Sequence, residues 1–176
     1  MTEYNKLIDA ISKRTFSPIY LIHGEESFFN EKILEHLKKN LIDDSSEEFD
    51  FKKIYAKKSD DNQESEVVDF VRRFPLVGDY NLIIVKDSKN LSLDFNNILS
   101  YIENFNPNTV LVLSFNESVD RRKKIYKSCL KSGVIFESKK IYDNQIYNWI
   151  ESQCKLKSLN LHPNSIKIIT DFVGND

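Results

Sequence analysis

The sequence predicts an α/β fold in which a parallel sheet is covered by helices, followed by the start of an all-helical unit. Short apolar runs alternate with segments of helical periodicity along most of the chain, a pattern typical of such a sheet. Two runs, Leu82 to Val85 (LIIV) and Thr109 to Leu113 (TVLVL), have the continuous apolar character of central strands buried on both faces. From Asp143 onward only helical patterns remain. These observations divide the chain into two predicted parts.

The segment before the LIIV run contains two further predicted strands and three predicted helices. In chain order these are a helix with an apolar stripe at Tyr4, Leu7, Ile8 and Ile11, a strand from Pro18 to His23, a helix with Phe29, Ile33, Leu37 and Leu41 on one face, a strand in which Phe49, Phe51 and Tyr55 alternate, and a helix with Val67, Val68, Phe70, Val71 and Phe74. Pro75 and Gly78 interrupt the last helix. The polar stretch from Lys57 to Glu66 is predicted to be a surface loop.

The segment after the LIIV run completes a predicted sheet of five strands. We expect a helix from about Leu93 to Glu103, then the TVLVL strand, then a helix with Asp120 as its N-cap, and a last strand from Val134 to Phe136. The helical unit that follows has apolar stripes at Ile146, Trp149 and Ile150 and at Ile166, Ile169, Phe172 and Val173. Two such helices bury little by themselves, so we expect the chain to be a fragment.

The composition excludes several classes of protein. Among 176 residues, 25 Lys and Arg nearly balance 27 Asp and Glu, so no overall positive field exists to hold a nucleic acid. No apolar run approaches the roughly 20 residues that span a bilayer, and the N-terminus has no signal-peptide core. We therefore expect a cytoplasmic protein without a membrane partner. Cys129 and Cys154 are far apart and suggest no metal site.

The junction of the first strand and the following helix is where a nucleotide-binding protein would carry its phosphate loop. A Walker A loop that begins at Gly24 needs a second Gly, then Lys and then Ser or Thr. The chain has Phe29, Asn30 and Glu31 at these positions, and Glu25 and Glu26 add negative charge where polyphosphate would lie. The sequence therefore predicts a degenerate phosphate loop that does not bind ATP, and no cofactor.

No other residues suggest catalysis. His23, His36 and His162 do not have the spacing of a metal site or a catalytic triad. Asp87 follows the LIIV strand in the place of a Walker B acid, but without a phosphate loop it is better interpreted as a cap or turn residue. We therefore expect no catalytic residue, no metal, and a binding protein rather than an enzyme.

Four blocks of sequence resemble the delta subunit of bacterial DNA polymerase III, a clamp-loader subunit. They occur in the expected order and cover nearly the whole chain: SPIYLIHGEESFF, RRFPLVGDYNLIIVKD, NTVLVL followed by DRRKKIYKSCLKSG, and ESKKIYDNQIYNWI running on to FVGND. The resemblance implies an AAA+-like, five-stranded and largely parallel domain at residues 1–140. It also implies part of a helical lid at 141–176 and an absent C-terminal collar.

The resemblance also implies a function in DNA replication. Delta subunits bind and open the sliding clamp (the beta subunit) without hydrolysing ATP, as parts of the polymerase III holoenzyme, a DNA-directed DNA polymerase and so a nucleotidyltransferase. The collar joins them to the other loader subunits, and the assembled loader acts on DNA. Two alternatives remain open from the residues alone: a delta-prime-type scaffold subunit, and a degenerate P-loop protein that still binds nucleotide.

The resemblance places the clamp-binding element at the turn before the third strand. Carried over by position, Leu76 and Val77 plug a pocket on the clamp, and Phe74 and Pro75 support them. Many relatives have Phe at the position of Val77, so the second anchor is smaller here. The alternative is that these apolar residues end the helix and pack beneath the sheet.

A basic segment is the candidate DNA contact. Arg121, Arg122 and Lys124 belong to a predicted basic helix that could meet phosphates inside a loader ring. The alternative is a solvated face, because consecutive helix residues point in different directions and cannot form one patch.

Overall fold

A computed structural model describes residues 3–58, 62–91, 94–140, 143–156 and 159–173. The chain forms two compact units, Met1–Ser138 and Lys139–Asp176. Each unit is described separately below.

Among its described residues, the first unit contains six α-helices and five strands. The helices are α1 (Glu3–Ser12), α2 (Ser27–Leu41), α3 (Glu47–Asp50), α4 (Gln63–Arg72), α5 (Asn96–Glu103) and α6 (Lys124–Ser132). The strands are β1 (Ile19–Gly24), β2 (Phe51–Tyr55), β3 (Asn81–Lys86), β4 (Thr109–Ser114) and β5 (Val134–Ser138), and a short 3-10 helix spans Ser88–Asn90.

The five strands form one sheet in the order β2-β3-β4-β1-β5, and every pair is parallel. The α/β prediction with five largely parallel strands is therefore confirmed. All strands begin at the same edge of the sheet, called here the amino edge, and end at the opposite, carboxyl edge. β1, β3 and β4 are buried along their whole length, which explains the continuous apolar runs in the sequence.

The core lies on both faces of the sheet. One face packs under α4, α5 and α6, where Ile83 and Leu111 meet Val67, Ile98 and Ile125 in one apolar cluster. Alternate residues of the same strands point to the other face, where α1 and α2 pack. The sheet is thus covered by helices on both faces. Loops present their side chains at its amino and carboxyl edges.

Two predicted boundaries are wrong. Phe49 belongs to α3, so β2 begins only at Phe51. The predicted loop from Lys57 to Glu66 overlaps α4, whose first two residues, Gln63 and Glu64, are polar yet buried. The Gln63 side chain accepts a hydrogen bond from the Lys57 backbone N–H at 2.8 Å, and Glu64 Oε1 accepts from Asn97 and Ile98 at 2.9 and 3.2 Å. Apolar periodicity cannot detect such buried polar contacts.

Two helix starts also differ from the sequence prediction. Asp120 is not an N-cap, because α6 begins at Lys124 and Asp120 belongs to the preceding turn. The helix predicted from Leu93 begins at Asn96, and Leu93 itself lies outside the described residues.

The second unit contains α7 (Asp143–Leu156) and α8 (Pro163–Val173), which pack against each other. Ile146, Cys154 and Ile166 are its buried side chains among the described residues. Trp149, predicted to be in the apolar stripe of the first of these helices, is half-buried.

Candidate functional site

Gly24 ends β1 at the carboxyl edge, where a phosphate loop would start. Its φ is 115°, a conformation that favours glycine, and an added Cβ would lie 2.1 Å from the Ser138 carbonyl oxygen of β5. The backbone of the sheet therefore requires this glycine, whether or not a phosphate binds beside it.

The N-terminus of α2 is already capped by a carboxylate. Glu26 is the N-cap residue, and its Oε1 accepts a weak hydrogen bond from the Phe28 backbone N–H at 3.4 Å. The neighbouring Glu25 is exposed. A helix N-terminus attracts one negative group through its free N–H groups and its dipole, and here the protein supplies that group itself.

The three positions that depart from Walker A are used for packing and an ion pair. Phe29 is buried and packs against Tyr4, with 4.9 Å between ring centroids, and Asn30 is only 2% exposed. Glu31 forms an ion pair with Lys86, a buried lysine at the end of β3. None of these three residue types is the one that a Walker A loop uses at its position to hold phosphate or magnesium.

The place of a Walker B acid has a different local structure. Asp87 has a left-handed φ of 53° and accepts a hydrogen bond from the Asn116 side-chain amide. Among the described residues, no group of three or more His, Cys, Asp or Glu side chains is arranged to hold a metal ion. The part of the chain that the structure describes also contains no helix long and apolar enough to cross a membrane.

At the opposite, amino edge lies the turn between α4 and β3, called here the docking turn (residues 74–78). Its large apolar side chains face solvent: Phe74 is 73% exposed, Leu76 68% and Val77 53%. Pro75 is half-buried. The alternative from the sequence, in which these residues pack beneath the sheet, therefore does not describe Phe74, Leu76 or Val77.

A buried carboxylate accepts hydrogen bonds from the backbone of the docking turn. Asp50, at the end of α3, is fully buried and accepts hydrogen bonds from the backbone N–H groups of Leu76, Val77 and Gly78, at 2.7, 2.9 and 2.6 Å. Burial alone would raise the pKa of this carboxyl group, but the three hydrogen bonds together lower it below its usual value. The ionised form is thus the one that fits the turn.

The start of the turn is fixed by a second set of contacts. The Arg73 carbonyl oxygen accepts hydrogen bonds from the side-chain amides of Asn81 at 2.8 Å and Asn106 at 3.1 Å. The Arg73 guanidinium lies 4.0 Å from the Phe70 ring centroid and donates to the Phe49 carbonyl oxygen. The docking turn is therefore anchored at both ends.

Gly78 is needed for close packing rather than for an unusual backbone angle. A Cβ at this position would lie 3.2 Å from the Cβ of Ser46 and 3.4 Å from Asp50 Oδ2. Its φ is not in the left-handed region. The sequence suggested Gly78 as a turn residue, but its neighbours across the chain could not be known from the sequence.

The candidate DNA-contact residues lie near the start of α6. Arg121 pairs with Glu137 at 3.0 Å, and Arg122 pairs with Asp120 at 2.7 Å, which holds the pKa of Asp120 at about 2. Lys124 is exposed. Arg121 and Arg122 precede the helix rather than belonging to it, so the prediction of one basic helix is wrong for these two residues.

The strand order and the parallel sheet covered by helices on both faces define the first unit as a three-layer α/β domain. The model of the family "DNA polymerase III, delta subunit" matches residues 20–139. The chain belongs to this family.

Solved structures show the same fold. The Bacillus subtilis DNA clamp loader delta protein (YqeN) matches with a TM-score of 0.80 and 18% identity, over 97% of this chain and 58% of that one. A DNA polymerase III gamma subunit-related protein from Thermotoga maritima matches with a TM-score of 0.52 and 18% identity, over 83% of this chain and 49% of that one. This chain therefore spans about half of the length of each structure. The comparison with curated proteins found no match.

Proposed function

We propose that this chain is the clamp-binding part of a clamp-loader delta subunit, which binds and opens the polymerase sliding clamp in DNA replication without hydrolysing ATP. The docking turn is the observation that carries the proposal. Leu76 and Val77 are 68% and 53% exposed at the amino edge of the sheet, although apolar side chains of this size are usually buried.

The rigidity of the turn supports this function. Asp50 fixes the backbone at Leu76, Val77 and Gly78, so the backbone that carries the two apolar side chains need not be ordered when a partner binds. Pre-organised anchors bind more tightly because less conformational entropy is lost on association. A few such anchors commonly carry most of the binding energy of an interface.

The carboxyl edge supports a subunit that works without its own nucleotide. Glu26 caps α2 where a phosphate would bind, and the Glu31 carboxylate pairs with Lys86. ATP hydrolysis in an assembled loader would then belong to other subunits. In this proposal the partners are the sliding clamp, the other loader subunits and, within the assembled loader, DNA.

Calorimetric titration of the chain against the sliding clamp of the same organism tests the proposal. We expect binding by the wild type and its loss in a Leu76→Ala, Val77→Ala double variant, since burying a Leu or Val side chain stabilises by roughly 1.5–3 kcal/mol. Tyr55→Ala is the matched control, because Tyr55 is 54% exposed at the end of β2, on the carboxyl edge.

Circular dichroism and thermal unfolding must show that each variant is folded. A folded wild-type chain that produces no binding heat with the clamp would contradict the clamp-binding role and favour a delta-prime-type scaffold subunit. Equal loss of binding in Tyr55→Ala would show that the docking turn is not the specific site.

A further inference from the structure

We infer that the clamp-binding surface is wider than the docking turn and includes two phenylalanines, Phe49 and Phe105, that flank the turn on its two sides. The inference rests on the proposed function, since it assigns both residues to the same partner, the sliding clamp. Phe49 is 45% exposed and Phe105 is 38% exposed.

The strand order brings the three segments side by side. Phe49 lies two residues before β2, the docking turn precedes β3, and Phe105 lies in the loop before β4. β3 is between β2 and β4 in the sheet, and neighbouring strands are about 4.8 Å apart. The turn therefore lies in the middle, with one phenylalanine segment on each side.

Hydrogen bonds connect both flanking segments directly to the turn. On one side, the Arg73 guanidinium donates to the Phe49 carbonyl oxygen, and the next residue, Asp50, binds the turn's backbone. On the other side, Asn106, which follows Phe105, donates to the Arg73 carbonyl oxygen at 3.1 Å. The backbone segments that carry the two phenylalanines are thus connected directly to the docking turn.

The exposed apolar residues of the first unit are concentrated at this edge. Among its described residues, the exposed large hydrophobic side chains are Phe28, Phe49, Tyr55, Phe74, Leu76, Val77, Phe105 and Leu130. Five of them belong to the docking turn or its two flanks. Single exposed apolar residues are common on proteins, whereas a contiguous group marks an interaction surface.

The occupant of this surface must carry an apolar pocket for Leu76 bordered by apolar surface on both sides. Continuity with the docking turn assigns the flanks to the same occupant, because a partner seated on Leu76 and Val77 also covers segments on the neighbouring strands. The aromatic flanks add contact area beside Val77, the smaller of the two anchors.

The test compares Phe49→Ala and Phe105→Ala with the wild-type chain in calorimetric titrations against the sliding clamp. Each variant is expected to bind about tenfold more weakly, the size of loss typical of an important interface residue. Phe28→Ala is the matched control, because Phe28 is also 45% exposed but lies at the start of α2, on the carboxyl edge. It should bind like the wild type.

Hydrogen exchange of the wild-type chain, with and without the clamp, provides a second measurement that needs no variant. Clamp binding should slow exchange at residues 47–50 and 104–108 together with residues 74–78. Protection confined to residues 74–78, or wild-type affinity in either phenylalanine variant, would overturn the inference while the proposed function stands. A wild-type chain that does not bind the clamp would overturn both.

Discussion

Asp50 is a buried negative charge that is compensated mainly by backbone N–H groups. It accepts three hydrogen bonds from consecutive residues of the docking turn, and the positive charge of Arg73 contributes as well. Hydrogen bonds to an ionised acceptor are about twice as strong as neutral ones. The shape of the turn therefore depends on one carboxylate that belongs to a different element.

Replacing Asp50 by Asn is expected to lower the free energy of unfolding by about 2 kcal/mol, because an amide places N–H donors against backbone donors that lose their acceptor. The change should also weaken clamp binding and speed hydrogen exchange at Leu76, Val77 and Gly78. Chemical denaturation, titration with the clamp and exchange measured by NMR check these three outcomes.

Asp79→Asn is the control for the loss of one negative charge near the turn. Asp79 is exposed, and its backbone carbonyl oxygen accepts a hydrogen bond from the Asn108 side chain. Unchanged exchange at the turn in Asp50→Asn would show that the three hydrogen bonds do not set its conformation.

At the scale of elements, the junction of β1 and α2 has the strand, glycine and helix of a phosphate loop but not the Walker A side chains. Gly24 is retained for the approach of β5, and the N-terminus of α2 is capped by Glu26. Nucleotide binding needs particular side chains in addition to the geometry of a strand, a glycine and a helix.

We expect Mg-ATP at 1 mM to leave the melting temperature of the chain unchanged. A ligand present at 100 times its Kd would stabilise the fold by about 2.7 kcal/mol, so binding with a Kd near 10 µM would be easily detected. The sliding clamp, added under the same conditions, is the positive control for a ligand-induced shift. A reproducible rise with Mg-ATP would revive the alternative of a degenerate P-loop protein that still binds nucleotide.

Elements made of contiguous apolar residues could be predicted from the sequence, and elements that depend on buried polar contacts could not. The runs at β1, β3 and β4 predicted strands that the structure confirms. The start of α4 was missed because Gln63 and Glu64 are buried through hydrogen bonds to distant segments. Periodicity records which residues are apolar, and these two are not.

The candidate site also contains residues that could be located from the sequence and residues that could not. The departures from a Walker A loop are visible in the sequence because its residues are contiguous, and the docking turn was located through its resemblance to the family. Asp50 gave no local signal, since its partners are 26 to 28 residues further along the chain. Phe49 was predicted to be in a strand, so its place beside the turn could not be foreseen.

At the scale of the whole molecule, two buried titratable groups make the stability of the fold depend on pH. His23 is fully buried on β1, and its Nδ1 accepts from the Val119 backbone N–H at 3.3 Å. Burial lowers its pKa, partly opposed by Glu137, while Arg121 lowers it further. The folded state therefore keeps His23 neutral, and Tyr126 packs against the ring.

We expect stability to fall in two steps as the pH decreases. Below about 6.5, the usual pKa of histidine, the unfolded chain binds a proton that folded His23 does not. Below about 3.9, the usual pKa of aspartate, the unfolded chain binds a proton that folded Asp50 does not. Each step continues until the pH reaches the lowered pKa of the folded state.

Denaturation curves between pH 8 and pH 3 test the two steps separately. His23→Asn keeps an acceptor near the position of Nδ1 and should remove the step below pH 6.5, whereas Asp50→Asn should reduce only the step below pH 3.9. A wild-type curve that stays flat between pH 7 and pH 5 would show that His23 is not kept neutral by the fold.

The long sequence separation between Asp50 and the docking turn also has a consequence for the newly made chain. In the folded protein the carboxylate reaches the turn beside the paired starts of β2 and β3, since Asp50 immediately precedes β2 and the turn precedes β3. During synthesis, Leu76 emerges from the ribosome before it has a fixed position. Under the proposed function, presentation of Leu76 to the clamp then depends on the pairing of β2 with β3, so clamp binding would report that this part of the sheet has formed.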